Sequence, residues 1–243
     1  CDDGFYMSTS GGYRWARMPV PSDGGKPASI MLDPSGGLAL YAMTTRGAYR
    51  SRDFGEEFLA QSWECLSEEM PQTDGIYQIA PGTDVNGHPG RVYALLNGIT
   101  LSRRLDETEW QRGAVVGLPA YTRSYPWIVV DPSNPDHAYT AMWGDIPGFG
   151  VKSILQETTD GGKTWSNDIE SLYQQFHTSG FLTILSKLMG GQMTKPAIDP
   201  RAPTILHSGK KGGALRSTDS GQTWAATGNG LDIPWVKSIF APQ

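Results

Sequence analysis

The chain has 243 residues and a formal net charge of −5. An acidic balance with no basic stripe excludes a nucleic-acid partner, because nothing would displace the counterions condensed on a phosphate backbone. No apolar run approaches the ~20 residues that cross a bilayer, so no membrane span is expected. Thirty Gly, 17 Pro and eight Trp, with only 19% charged residues, suit tight turns, aromatic wedges and an exported, extracellular or periplasmic protein. Its signal peptide would lie outside this chain.

Read from the start, Gly4-Phe5-Tyr6-Met7 is a strand running into Ser8-Thr9-Ser10-Gly11-Gly12-Tyr13-Arg14-Trp15. A unit then recurs. It opens with a β-rich run ending in Pro, strand A, at 30–34, 76–81, 127–132, 197–200 and 238–242. A polar turn leads to strand B at 40–43, 92–95, 138–141 and 204–207. A glycine opens strand C, as at Gly47 and Gly213, and a tight hairpin carries C into strand D.

The best hairpins are Thr158-Thr159-Asp160-Gly161-Gly162-Lys163-Thr164-Trp165 and Ser217-Thr218-Asp219-Ser220-Gly221-Gln222-Thr223-Trp224. Degenerate copies start at Ser8 and at Ser51, the latter carrying Asp53, and a slipped one runs from Ser102 to Trp110. Ser, Thr and Asp hydrogen-bond the turn backbone, Gly supplies a positive φ, and the closing aromatic anchors the next strand. Starts at 8, 51, 102, 158 and 217 are 43, 51, 56 and 59 residues apart. That is the period of a propeller blade, and a parallel β-helix would need shorter rungs. The predicted fold class is therefore all-β, a β-propeller of four-stranded antiparallel blades spanning 1–243, about five of them visible. Trp15, Phe58, Trp110, Trp165 and Trp224 are the expected wedges between blades.

The hairpin resembles the Asp-box, or BNR repeat, of sialidases, sortilin-type receptors, xyloglucan-specific endoglucanases and a photosystem assembly propeller. In those families the box is structural. The resemblance implies the same for Asp53, Asp160, Trp165, Asp219 and Trp224.

The chain begins just before a strand C and stops at Gln243 after a strand A, leaving strand B of a composite blade unsupplied. A longer propeller is expected, with further blades of the same protein as partners; a five-bladed ring with one three-stranded blade is the alternative. Cys1 and Cys65 leave neighbouring blades toward one face and are expected to form a disulfide. A lipid anchor on Cys1 is disfavoured, because a strand already begins at Gly4 and leaves no tether.

In this topology the A–B and C–D turns share the bottom face, and the B–C and D–A loops share the top, where propellers bind ligands. Two top loops of the fourth repeat stand out. The B–C connection 143–150 holds Trp143, Asp145 and Phe149, and the D–A connection runs from Ser166 to Lys195. Ile169, Leu172, Tyr173 and Phe176, then Phe181, Leu182, Leu185, Leu188 and Met189, follow helical spacing, so a helical insertion is predicted over about 167–194. His177 stands alone, so neither a metal nor a cofactor is called for. Trp143, Phe149, Tyr173 and Phe176 form the expected platform for a carbohydrate or protein partner.

Gly144-Asp145-Ile146-Pro147-Gly148-Phe149 resembles the Gly-Asp-x-x-Gly-Phe segment of the xyloglucan-specific endoglucanases, which implies Asp145 as general acid. Asp2-Asp3-Gly4-Phe5-Tyr6 resembles that family's Asp-x-Gly-Gly-x-Tyr-Arg segment and implies Asp2 as the second carboxylate. Sialidase chemistry is less well supported, because Arg46, Arg91, Arg123 and Arg201 recur at no equivalent position. No Gly-x-Ser-x-Gly elbow is present either. Two readings follow: an exported binding or scaffolding module, and a glycoside hydrolase with paired carboxylates.

Overall fold

The computed structural model describes residues 4–8, 10–19, 21, 25–33, 39–52, 63–68, 70, 76–82, 89–96, 99–115, 122–123, 127–146, 150–165, 195–210 and 213–227. Among them every regular element is a strand. In the first repeat β1 (Tyr6–Met7) pairs antiparallel with β2 (Ala16–Arg17). The second repeat is a four-stranded antiparallel sheet of β3 (Pro27–Leu32), β4 (Leu40–Thr44), β5 (Ala48–Ser51) and β6 (Glu64–Cys65). The third repeats that order with β7 (Ile76–Gly82), β8 (Arg91–Leu96), β9 (Ile99–Arg104) and β10 (Gln111–Arg112).

The fourth repeat departs from the expected pattern. Two short strands, β11 (Ala114–Val115) and β12 (Thr122–Arg123), precede β13 (Ile128–Asp131), β14 (Asn134–Ile146), β15 (Gly150–Thr158) and β16 (Thr164–Trp165). Strands β12 and β13 pair with successive stretches of β14, so the inner strand is split in two. The closing strand β16 pairs in parallel with β11, which leads out of the third repeat. The fifth repeat returns to the simple order with β17 (Ala197–Ile198), β18 (Leu206–Lys210), β19 (Gly213–Ser217) and β20 (Ala225–Ala226). The expected strand at 238–242 lies outside the described residues.

Successive side chains on a strand point to opposite faces, and that period builds the seams between sheets. On β4, Leu40 and Ala42 join Phe5 and Met18 of the first repeat, while Tyr41 and Met43 join Ile79, Val92 and Ala94 of the third. On β8 the odd and even positions divide again: Tyr93 and Leu95 meet Ile128, Ala138 and Trp165 of the fourth repeat. Tyr139 then meets Ile198 and Leu206 of the fifth. Both faces of β4, β8 and β14 are thus covered, which is why these strands read as continuous apolar runs. Full burial of each Val, Leu, Ile, Phe or Met among them contributes roughly 1.5–3 kcal/mol. The Gln78 side-chain amide also bridges two inner strands, accepting from Ile128 N at 2.9 Å and donating to Ile128 O at 3.3 Å.

The hairpins hold themselves. Thr158 Oγ1 donates to Asp160 Oδ1 and accepts from Gly162 N, each at 2.8 Å. Asp160 accepts from Thr164 N at 3.0 Å and from the Thr164 hydroxyl at 2.6 Å. Ser217, Asp219, Gly221 and Thr223 reproduce the pattern at 2.7–2.8 Å. In the first repeat Ser10 replaces the aspartate and accepts from Arg14 N at 2.8 Å. Gly161 and Gly162 sit at φ of 74° and 84°; the fifth repeat places Ser220 at 57° in the matching turn.

The closing tryptophans are not equivalent. Trp165 is fully buried, whereas Trp15 is 64% exposed and is no wedge among the described residues. Trp15 Nε1 donates to Gly12 O and Trp224 Nε1 to Gly221 O, at 3.0 and 2.9 Å. Trp110 Nε1 instead crosses to Leu66 O of the second repeat at 2.6 Å.

Candidate functional site

The fourth repeat carries a ribbon that outruns its neighbours. Strand β14 continues to Ile146, seven positions beyond Tyr139, whereas β4, β8 and β18 stop three positions beyond Tyr41, Tyr93 and His207. Four extra residues add about 13 Å at the usual rise per residue. The ribbon is continuously paired from Ala138↔Thr158 to Ile146↔Gly150. It projects from the end opposite the repeat hairpins, since the A–B and C–D turns share one end of an antiparallel sheet and the B–C turn lies at the other.

Trp143 and Asp145, expected in a loop, are therefore strand residues. Backbone positions of Trp143 pair with Ser153 on β15 and Arg123 on β12, and Asp145 pairs with Val151. The three glycines within 143–150 favour a loop, and pairing of Trp143 and Gly144 on both sides overrides that propensity. Phe149, Tyr173, Phe176, Asp2, Asp53 and the helical insertion at 167–194 lie outside the described residues. So does Cys1; among the described residues Cys65 on β6 is in no disulfide, and its Sγ lies 3.5 Å from Ser67 Oγ.

Asp160 and Asp219 sit at the other end of their sheets and have their acceptor capacity committed. Partial burial would raise both carboxyls, yet hydrogen bonds from Thr164 and Thr158, and from Thr223 and Ser217, outweigh it and hold them below the ordinary range. Groups so arranged stabilise a turn.

A cluster at the hairpin end of the fourth repeat was not anticipated from the sequence. His137 Nδ1 lies 2.8 Å from Asp131 Oδ2, and Nε2 lies 2.8 Å from Glu157 Oε1. Two carboxylates on one ring require both nitrogens to donate, which is the imidazolium form. Burial alone would lower the His137 pKa, but the bonds to Asp131 and Glu157 outweigh it and push it up to about 9. Tyr139 OH also donates to Glu157 Oε1 at 3.3 Å. Asp131 further accepts from Ser133 N and Oγ, both at 2.7 Å, an Asx turn repeated by Asp199 with Arg201 N at 2.9 Å. The recurring Asp-Pro at the end of strand A was the available signal for these turns; nothing in sequence spacing announced His137.

The same position in the third repeat is Arg91, whose Nε donates to Asp136 Oδ1 at 2.8 Å across the seam. Both cations brace turns. Among the described residues no group of His, Cys, Asp and Glu could hold a metal ion, and no helix is long and apolar enough to cross a membrane.

No family model and no curated protein matches the chain. Among solved structures it is similar to the GH74 enzyme of Niastella koreensis, with TM-score 0.53 and 14% identity over 83% of this chain and 24% of that one. An ancestral GH74 enzyme gives 0.52 and 17% identity over 86% of this chain and 25% of that one. The chain is a β-propeller. YCF48 from Cyanidioschyzon merolae aligns with TM-score 0.48 and 17% identity, over 91% of this chain and 65% of that one. The propeller spans about a quarter of the length of the two GH74 enzymes, and at these identities the likeness is one of fold. Its stacked sheets in chain order, each sharing a seam with the next, are the blades of that fold.

Proposed function

We propose that the propeller is an exported binding or scaffolding module that takes a carbohydrate or protein partner on the face opposite its repeat hairpins. The observation that carries this reading is the projecting β14–β15 ribbon, with β12 added alongside Trp143 and Gly144. A paired ribbon is stiffer than a loop and presents its residues with little ordering cost on binding. In this reading Trp143, Phe149, Tyr173 and Phe176 supply the aromatic contacts, and the hairpins act as Asp-boxes that only hold the blades.

The likeness in fold to GH74 enzymes favours a second reading, a glycoside hydrolase with Asp145 as general acid and Asp2 as its partner carboxylate. Two experiments separate them. A glycan array and reducing-end release from polysaccharides are compared for the natural chain, Asp145→Asn and a deletion of 169–190. A binding module releases no sugar and loses its ligand mainly with the deletion. A hydrolase shows turnover that Asp145→Asn abolishes while affinity persists. Full binding by both variants would move the site elsewhere.

A further inference from the structure

The hairpin of the third repeat breaks the chemistry of the others. Register places Arg103 opposite Val92, as Thr158 stands opposite Ala138 and Ser217 opposite Leu206. A guanidinium thus occupies the position where the fourth and fifth hairpins carry a hydroxyl. Two positions on, Leu105 stands where Asp160 and Asp219 stand. This turn has gained a cation and lost its carboxylate.

Arg103 is only 6% exposed and lies on the Val92 face, against the second repeat. Its Nη1 donates to Thr108 O at 3.3 Å, and the guanidinium carbon stands 5.6 Å from the centre of the Trp110 ring. The indole attracts the cation but gives its N–H groups no lone pair. Nε of Arg103 is buried without a hydrogen-bond partner. The bond to Thr108 explains how an arginine can hold this turn; it leaves the Nε edge and the charge unanswered.

The row of the second repeat that faces the third is Tyr41–Arg50–Glu64. Arg50, also buried, donates to Glu64 Oε2 through Nε and Nη2 at 3.2 and 2.8 Å. Arg52 reaches the same oxygen at 3.7 Å. Among the described residues no carboxylate forms an ion pair with Arg103. Burial lowers the Arg103 guanidinium from its ordinary value, Glu64 raises it and Arg50 lowers it again, but an arginine stays charged. A buried cation without a counter-ion is costly. Glu64, its side chain 45% exposed, marks where the seam meets water.

We propose that Arg103 and Arg50 form an oxyanion site in the seam between the second and third blades, which takes a phosphate or sulfate dianion, free or carried as an ester. The Nε edge of Arg103 offers parallel donors that match two oxygens of a tetrahedral anion, and the second negative charge answers Arg50. The site lies at the hairpin end, opposite the ribbon, and is independent of the surface proposed for the partner.

The Nε–H resonances of the chain labelled with ¹⁵N-arginine test this, with that of Arg103 assigned by Arg103→Gln. Phosphate and sulfate, titrated at constant ionic strength against chloride, should shift the Arg103 resonance saturably and raise Tm. Acetate should bind roughly tenfold more weakly, having one charge fewer. Arg103→Gln should abolish the response, and Arg104→Gln, whose guanidinium is taken by Asp106, should leave it unchanged. Glu64→Gln should tighten binding on the order of fivefold by removing the carboxylate that competes for Arg50. Phenyl phosphate binding as well as phosphate would point to an ester as the ligand, and its exclusion to the free anion. A resonance that ignores every anion would show that the chain itself satisfies Nε, and the proposal fails. A linear response that chloride reproduces, equal affinity for acetate, or an undiminished rise in Tm in Arg103→Gln also overturns it. If Arg103→Gln does not fold, the chloride and acetate comparisons on the natural chain decide.

Discussion

Trp165 stands edge-on to Tyr93 across the seam between the third and fourth blades, ring centroids 6.2 Å apart and planes inclined at 72°. The edge-to-face arrangement places the positive rim of one ring against the negative face of the other. Tyr93 is fixed in turn, its hydroxyl donating to Pro135 O at 2.7 Å. Ser102 Oγ donates to Gly161 O at 2.6 Å, so the fourth hairpin docks on the third blade through backbone as well as rings.

Trp165→Ala should therefore cost about 3–5 kcal/mol, the range for truncating a large buried aromatic. Denaturant unfolding followed by far-UV circular dichroism measures it. Trp15→Ala serves as the comparison and should cost under about 1 kcal/mol in the chain by itself, as expected at an exposed position. Equal losses would contradict the assignment of Trp165 to a seam.

The fifth hairpin offers a paired test. Asp219→Ala removes the acceptor of Thr223 N and Oγ1 and should cost on the order of 1 kcal/mol, leaving any binding or turnover intact. Ser220→Gly should do the reverse, gaining about 1 kcal/mol, because an L-residue at φ 57° is strained and glycine is not. Gly161→Ala should be costly: φ is 74°, and the new Cβ would come within 2.5 Å of the Arg91 guanidinium that Asp136 holds in place. Thermal melts of the three variants rank them, and a neutral Gly161→Ala would refute the docking geometry.

Gln156 is fully buried on β15, and neither end of its amide finds a hydrogen-bond partner among the described residues. An unpaired buried amide carries a desolvation cost of about 1–3 kcal/mol. Gln156→Leu should accordingly be neutral or stabilising in equilibrium unfolding. A loss above about 2 kcal/mol, the mark of a broken buried hydrogen bond, would show that the amide is satisfied after all.

The His137 cluster predicts how stability depends on pH. The imidazole value is raised from 6.5 to about 9, so its contribution is complete below 6.5 and is lost as pH rises through about 9. Asp131 acts in the opposite sense. Its burial alone would raise the carboxyl, but the bonds from His137 and Ser133 lower it below 3.8, so its contribution is lost as pH falls through that depressed value. Tm should be highest between these limits and decline on the alkaline side. In His137→Gln the alkaline decline between pH 7 and 10 should flatten; an unchanged profile would rule out the imidazolium.

The repeat hairpins, the strand order of the second, third and fifth repeats and the apolar faces were legible in the sequence, because each rests on short-range chemistry. Asp160 and Asp219 bond within four residues of themselves, and the alternation that sends Tyr41 one way and Leu40 the other is a property of any extended chain. Cross-strand partners are different. Trp143 sits in a strand because β12 and β15 flank it, and the glycines around it gave no hint of that. His137 is charged because β13 and β15 bring Asp131 and Glu157 to its two nitrogens from 6 residues before and 20 after. Trp15 and Trp165 close similar hairpins, yet one is in water and the other is sealed in a seam. Local sequence determined the hairpin that each indole closes; the sheet packed behind it, a matter of distant residues, decided whether that indole is buried.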